Sequence, residues 1–202
     1  MSNPLEPVIA RYRLQKAAIA VTIRVTGPGA NKAIADRAKV ATGATEADFK
    51  DLVTWAVQPK HEALYDRPAA EVERSLNEAL EAIERLTVLE LAAAFERSLR
   101  LALVARTGQW VTTGSPDQVA FRLTVEQEIE RWSYRETLID LFPSVDAVDS
   151  ELRGFAKQVV RFRDWIAHGK HTDPSEARPS VVEAERAFER LSAFLRAAGL
   201  VT

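Results

Sequence analysis

Residues 148–168 read VDSELRGFAKQVVRFRDWIAH, and this stretch decides the predicted fold. Its apolar residues recur at spacings of four and three, the period of an α-helix with one buried face. The members of this stripe are Val148, Leu152, Phe155, Val159, Phe162 and Ile166. Asp146 or Asp149 can cap the start of the helix, and Gly169 can cap its end. The stretch therefore predicts an amphipathic helix, ending near Ala167, that packs on other helices.

The rest of the chain also favours helices. From Pro68 to about Arg106 no Pro or Gly interrupts the apolar pattern, although the stripe rotates near Thr87. This segment is either one long helix, bent or spanning a dimer, or two helices that meet near Thr87. Further helices are predicted over residues 5–26, 30–41, 45–57, 117–132 and 134–142, and from Pro179-Ser180 to about residue 198. The sequence thus predicts an all-α protein.

The clearest predicted boundary lies between residues 59 and 68, after Pro59 ends one helix and before Pro68 begins the next. We therefore expect an N-terminal helical extension over residues 1–60 and a larger helical domain over residues 61–202.

Composition restricts the chemistry. The sequence of 202 residues contains no Cys and three His, and its formal net charge is −2. Lack of Cys excludes disulfides, thiolate catalysis and Cys-based zinc sites, and the His spacing matches no zinc motif. We expect no metal and no cofactor. The near-neutral charge argues against a protein that coats nucleic acid, but not against local binding of RNA by a basic strip.

The N-terminal residues lack the pattern of a signal peptide, and the sequence has no run of about 18 apolar residues that would span a membrane. We therefore expect a cytoplasmic protein with no membrane association.

The face of the 148–168 helix opposite its apolar stripe carries mostly basic residues. They are Arg153, Lys157 and Arg161, followed on the same face by Asp164 and His168. Because His168 lies off the core stripe and at the helix end, the partial negative charge there favours its protonated form. An imidazole that titrates near neutrality suits acid–base catalysis, and a permanently charged Arg163 suits phosphate binding.

Arg163, followed after four residues by His168, resembles the Rx4-6H signature of the HEPN family. Asp164 occupies the place after the Arg where HEPN proteins commonly have a polar residue. The sequence WIAHGK over residues 165–170 is similar to prokaryotic members. Residues 91–99 are similar to an early HEPN helix that often carries an acidic residue near the site, for which Glu96 is the candidate. The resemblance covers residues of about 69–198 and implies an antiparallel helical bundle.

The resemblance also implies an activity. Active HEPN proteins pair two motifs across a homodimer and cut RNA without metal, through attack of the 2′-hydroxyl on the adjacent phosphate. By this resemblance, Arg163 and His168 would be catalytic, and Asp164 and Glu96 would support them. RNA would be bound by Arg153, Lys157, Arg161 and Lys170. Such proteins are often toxins or phage-defence effectors, and a nucleotidyltransferase-like antitoxin is a common partner.

The same residues also fit simpler interpretations. Arg163 could form an ion pair with an acidic residue of a neighbouring helix, and His168 could lie on a solvated surface. The basic strip could be a solvated helix face. In that case the protein would be a catalytically inactive, HEPN-like bundle that serves as an interaction or regulatory module, or as a module that binds nucleotides or RNA.

Overall fold

A computed structural model describes residues 2–26, 68–110, 116–131, 137–141, 148–167 and 180–202. Within these ranges the secondary structure is helical throughout: α1 (Glu6–Thr26), α2 (Ala69–Trp110), α3 (Pro116–Arg131), the single turn α4 (Ile139–Leu141), α5 (Ser150–Ala167) and α6 (Ala184–Ala197). The predicted all-α class is confirmed. The helices predicted over 30–41 and 45–57, and the boundary predicted between 59 and 68, lie outside the described residues. No helix in the described ranges is both long and apolar enough to cross a membrane.

The chain divides into two compact units, one formed by Met1–Tyr12 with Glu84–Thr202 and the other by Arg13–Ile83. In the first unit, α5 packs against α4 and α6. The rings of Phe95 in α2 and Phe194 in α6 meet edge to face, with their centroids 5.1 Å apart. The largest fully buried side chains of this core are Leu5, Ile9, Tyr12, Leu91, Phe95, Leu99, Ile129, Leu138, Ile139, Phe162 and Phe194.

Helix α5 forms where its apolar stripe predicts it. Four of the six stripe residues are buried: Val148, Phe155, Val159 and Phe162. Leu152 and Ile166 are half-buried. The core face is wider than the predicted stripe, because Ala156 and Val160 are buried as well.

Asp149, one of the two predicted candidates, caps the start of α5. Its Oδ1 accepts a hydrogen bond of 2.7 Å from the backbone N–H of Leu152, the third residue of the helix. This bond satisfies one of the N–H groups that the first turn leaves without a helical partner. The Gly169 cap predicted for the other end lies outside the described residues.

Helix α2 passes through Thr87 without a break, so of the two predicted alternatives the single long helix is confirmed and the pair of helices is wrong. Thr87 itself is buried, and so are Val88 and Leu91, whereas Leu86 is 58% exposed. The apparent rotation of the apolar stripe arises because Leu86 faces solvent, so it does not belong to the buried face of the helix. Since the segment consists largely of strong helix formers, the helix continues across this change of face.

The start predicted for the last helix at Pro179-Ser180 is also wrong, because α6 begins at Ala184. Glu183 has extended backbone angles and its side chain does not cap the helix. Instead, the Oε1 atom of Glu84 in α2 accepts a hydrogen bond of 3.2 Å from the N–H of Ala184. The first turn is therefore capped by a side chain 100 residues away in sequence.

Candidate functional site

Arg163 lies in the last turn of α5, at the edge of its buried face. Its side chain is 27% exposed, so solvent and a ligand can reach it. Its Nη1 atom lies 3.5 Å from Oε2 of Glu96, and its Nε atom lies 3.1 Å from Oδ1 of Asp164. Arg163 is thus held between two carboxylates, one from another helix and one from its own.

Glu96 reaches Arg163 from the middle of α2. The adjacent Phe95 is fully buried and fixes the rotation of this helix, which leaves the Glu96 side chain 20% exposed at the rim of the core. The fold thereby brings together two predicted site residues that are 67 positions apart in the sequence.

Arg100 is a member of this cluster that the sequence reasoning missed. Its Nε and Nη2 atoms donate hydrogen bonds of 3.1 and 2.7 Å to the Oε1 atom of Glu96. Its Nη1 atom donates to the backbone carbonyl of Ile129 in α3. A signal was present, because Glu and Arg four positions apart on a helix, with Glu first, form a favourable pair.

We refer to Glu96, Arg100, Arg163 and Asp164 as the charged cluster. Its two guanidinium groups and two carboxylates balance formally, so the cluster has no net charge as it stands. Arg100 is the least exposed member at 14%, and Asp164 the most exposed at 42%. Because Arg163 lies on the more exposed side of Glu96, it is the cation that an incoming anion would meet first.

The other predicted motif residues continue past the end of α5. His168 and Lys170 lie outside the described residues, as does the turn that carries them. The last described residue, Ala167, is one helical turn beyond Arg163 and marks the end of α5.

The basic strip is partly neutralised within the protein. The Nζ atom of Lys157 lies 2.7 Å from Oδ2 of Asp140 in α4, an ion pair that the sequence did not predict. The Nε atom of Arg153 donates a long hydrogen bond of 3.5 Å to the carbonyl oxygen of Asp149. Arg161 is exposed. Of the four residues predicted to bind RNA, the three that the structure describes therefore differ in how accessible their charge is.

Trp165 packs on the protein itself. Its ring stacks on that of Phe162, with centroids 6.0 Å apart and an interplanar angle of 20°. Since Phe162 is buried, this stacking fixes the side chain of Trp165 against the core at the last turn of α5. It thereby supports the backbone that carries Arg163.

Within the described ranges, no group of three or more His, Asp or Glu side chains is arranged to hold a metal ion. No protein-family model matches the chain, and neither a curated protein nor a solved structure shows significant similarity to it.

Proposed function

We propose that this protein is a metal-independent endoribonuclease of HEPN type that acts through a dimeric cleft lined by Arg and His. The observation that carries the proposal is the position of Arg163. It begins the Arg-x4-His sequence in the last turn of a late amphipathic helix, and it meets Glu96, the acidic residue expected from an early helix.

The chemistry of the charged cluster supports this role for Arg163. A guanidinium group can bind a phosphate through two parallel hydrogen bonds and keeps its charge throughout the reaction. Its partial exposure allows a phosphate to replace one carboxylate partner, while the carboxylates hold the planar group in a fixed orientation beforehand. Fixed donors are most effective at the point where negative charge develops in a transition state.

In the proposed reaction, the RNA 2′-hydroxyl attacks the adjacent phosphorus atom. The O2′–P bond forms as the P–O5′ bond breaks, which leaves a 2′,3′-cyclic phosphate and a 5′-hydroxyl. One imidazole takes the proton of the 2′-hydroxyl and a second gives a proton to the leaving O5′. His168 would supply both groups if two copies of the chain share one cleft, and Arg163 would stabilise the charge on the phosphate.

The biological setting follows from the same proposal. A ribonuclease of this kind would act as a toxin or as a phage-defence effector in the cytoplasm. It would require a homodimer for activity and a neutralising protein, such as a nucleotidyltransferase-like antitoxin, to protect the cell.

The first test is cleavage of total RNA and tRNA by the purified protein in EDTA. We expect the wild type to produce 2′,3′-cyclic phosphate ends, and Arg163→Ala and His168→Ala to lower the rate by a factor on the order of 100 or more. Matched controls are Arg74→Ala, on an exposed part of α2, and His61→Ala, outside the motif. Equal cleavage by all five proteins would assign the activity to a contaminant or to another site.

One observation favours a second function. Arg163 is already paired with Glu96 and Asp164, as a purely structural arginine would be. The alternative is an inactive bundle that serves as an interaction module or binds RNA without cutting it. Absence of cleavage by the wild type would favour this alternative. Binding without cleavage that depends on Arg161 but not on His168 would identify an RNA-binding module.

A further inference from the structure

We propose that Arg100 is a positioning residue that keeps Arg163 available to a phosphate group. Arg100 does so by binding Glu96, one of the two carboxylates that compete for Arg163. This inference rests on the proposed function for its RNA substrate, but its first consequence, the binding of phosphate by Arg163, can be measured without any RNA.

The two oxygen atoms of the Glu96 carboxylate differ in how closely they are bound. Its Oε1 atom accepts two hydrogen bonds from Arg100, at 2.7 and 3.1 Å, within the range of charge-assisted bonds. Its Oε2 atom lies 3.5 Å from Nη1 of Arg163, at the outer limit of a hydrogen bond. Glu96 is therefore bound mainly to Arg100, and its hold on Arg163 is the weaker of the two.

Arg100 is suited to this task by its own anchorage. Its side chain is 14% exposed, and its Nη1 atom is bonded to the backbone carbonyl of Ile129 in α3. Because Arg100 is tied to two helices, it keeps its position when the cluster changes. Arg163, at 27% exposure and with a longer contact to Glu96, is the cation that can exchange this contact for a ligand.

Charge balance explains why a second arginine is needed. If Glu96 had Arg163 as its main partner, a phosphate that took Arg163 would leave a partly buried carboxylate without a counter-ion, next to a new anion. Burial of an uncompensated charge is costly. With Arg100 in place, Glu96 keeps a counter-ion while Arg163 binds the phosphate. Phosphate binding therefore does not leave a buried carboxylate unpaired.

The experiment measures the affinity for inorganic phosphate at constant ionic strength, from the rise in melting temperature of each variant over its own phosphate-free value. The variants are Arg100→Gln, Glu96→Gln and the double variant, with Arg163→Gln as the blank. The control is Arg74→Gln, since Arg74 also pairs with a glutamate four positions away on α2, but at an exposed site. RNA cleavage in EDTA is measured on the same proteins.

We expect Arg100→Gln to weaken phosphate binding by about tenfold, the size of one hydrogen bond to a charged group. We expect Glu96→Gln, added to Arg100→Gln, to restore most of the affinity, because the charge of Glu96 no longer competes for Arg163. Arg74→Gln should bind phosphate as the wild type does. The cleavage rates should follow the same order.

Rescue by the second substitution separates positioning from a structural role. If Arg100 only held α2 and α3 together, the double variant would bind phosphate as poorly as Arg100→Gln or more poorly. That result, or unchanged binding in Arg100→Gln, would overturn the inference even if the wild type cuts RNA. If the wild type binds no phosphate through Arg163, the inference is also overturned. Phosphate binding with the expected rescue but without RNA cleavage would support the inference and refute the proposed function.

Discussion

Lys157 and Arg161 lie one helical turn apart on the same face of α5, yet only Lys157 forms an ion pair with another described residue. Lys157 forms an ion pair of 2.7 Å with Asp140, and the two side chains are 33% and 43% exposed. Arg161 is exposed, and no ion pair joins it to another described residue. The sequence alone does not distinguish the accessible basic residues of the strip from the neutralised ones, because spacing along α5 does not reveal an acidic partner in another helix.

This difference predicts unequal contributions to RNA binding. We expect Arg161→Gln to lower the dependence of log Kd on log salt concentration by about 0.7, the value of one phosphate contact on a single strand. Lys157→Gln should change it less, because Asp140 already compensates the lysine. Fluorescence anisotropy with a 2′-O-methyl oligonucleotide, which cannot be cut by 2′-hydroxyl attack, measures the slope.

Asp140→Asn is the matched control for that comparison. It should strengthen RNA binding and raise the salt slope, because it releases the charge of Lys157. In that background Lys157→Gln should weaken binding about as much as Arg161→Gln does. If Lys157→Gln and Arg161→Gln are equivalent in the original background, the ion pair with Asp140 has no influence on RNA binding.

At the scale of helices, the start of α5 and the end of α6 are both fixed by residues that are close to them in sequence. Asp149 caps α5 through the N–H group three residues ahead, and this cap was among the sequence predictions because both partners lie in one turn. At the C-terminal end of α6, Gly199 has a φ of 70°, and its N–H group donates a hydrogen bond to the carbonyl of Arg196. Leu200 N–H reaches the carbonyl of Leu195, which completes a Schellman motif.

The start of α6 could not be predicted from local sequence, because its cap comes from α2. Pro179 and Ser180 have the composition of a helix start, but the described backbone remains non-helical up to Glu183. Val182 is buried in this segment, so its packing holds the chain in an extended form before the helix. Glu84 then accepts the N–H of Ala184.

This remote cap should contribute measurably to stability. We expect Glu84→Ala to lower the free energy of unfolding by about 1 kcal/mol, the usual value of a helix cap. Glu84→Gln should cost less, because its amide oxygen can still accept the bond. Urea denaturation followed by circular dichroism measures both. Glu189→Ala, at an exposed position of α6, is the control and should be nearly neutral. A loss no larger for Glu84→Ala than for Glu189→Ala would show that the cap is unimportant.

The candidate site was predictable to a similar extent. The motif within one helix indicated Arg163 and Asp164 as candidates, and the resemblance to HEPN proteins indicated Glu96. The pairing of Arg100 with Glu96 could have been predicted from their spacing, but the bond from Arg100 to α3 could not, because helical periodicity does not show which residues of α2 face α3. The Lys157–Asp140 pair was missed for the same reason, since it joins α5 to a single helical turn. Spacing can indicate pairs within one helix, as for Glu96 and Arg100, but it does not indicate contacts between helices.

At the scale of the whole molecule, the first residues of the chain belong to the same compact unit as the candidate site. Leu5, Ile9 and Tyr12 are buried, and this was not predicted, because residues 1–60 read as a separate helical extension. The side-chain amide of Asn3 donates a hydrogen bond of 2.8 Å to the hydroxyl of Ser192 in α6. The 3–4 spacing of the apolar residues shows that α1 has a buried face, but not which part of the chain covers it.

The burial of Leu5 leads to a stability prediction for the unit that contains Arg163. Leu5→Ala removes a fully buried side chain and should lower the free energy of unfolding by about 2 to 4 kcal/mol. Leu14→Ala in α1 is the control, since Leu14 is 73% exposed, and it should change stability by less than about 0.5 kcal/mol. Urea denaturation gives both values, and amide hydrogen exchange around Ser192 should become faster in Leu5→Ala alone. Equal effects of the two substitutions would mean that the first turns of α1 are not part of this core. Such a result would return residues 1–12 to the role of a separate extension.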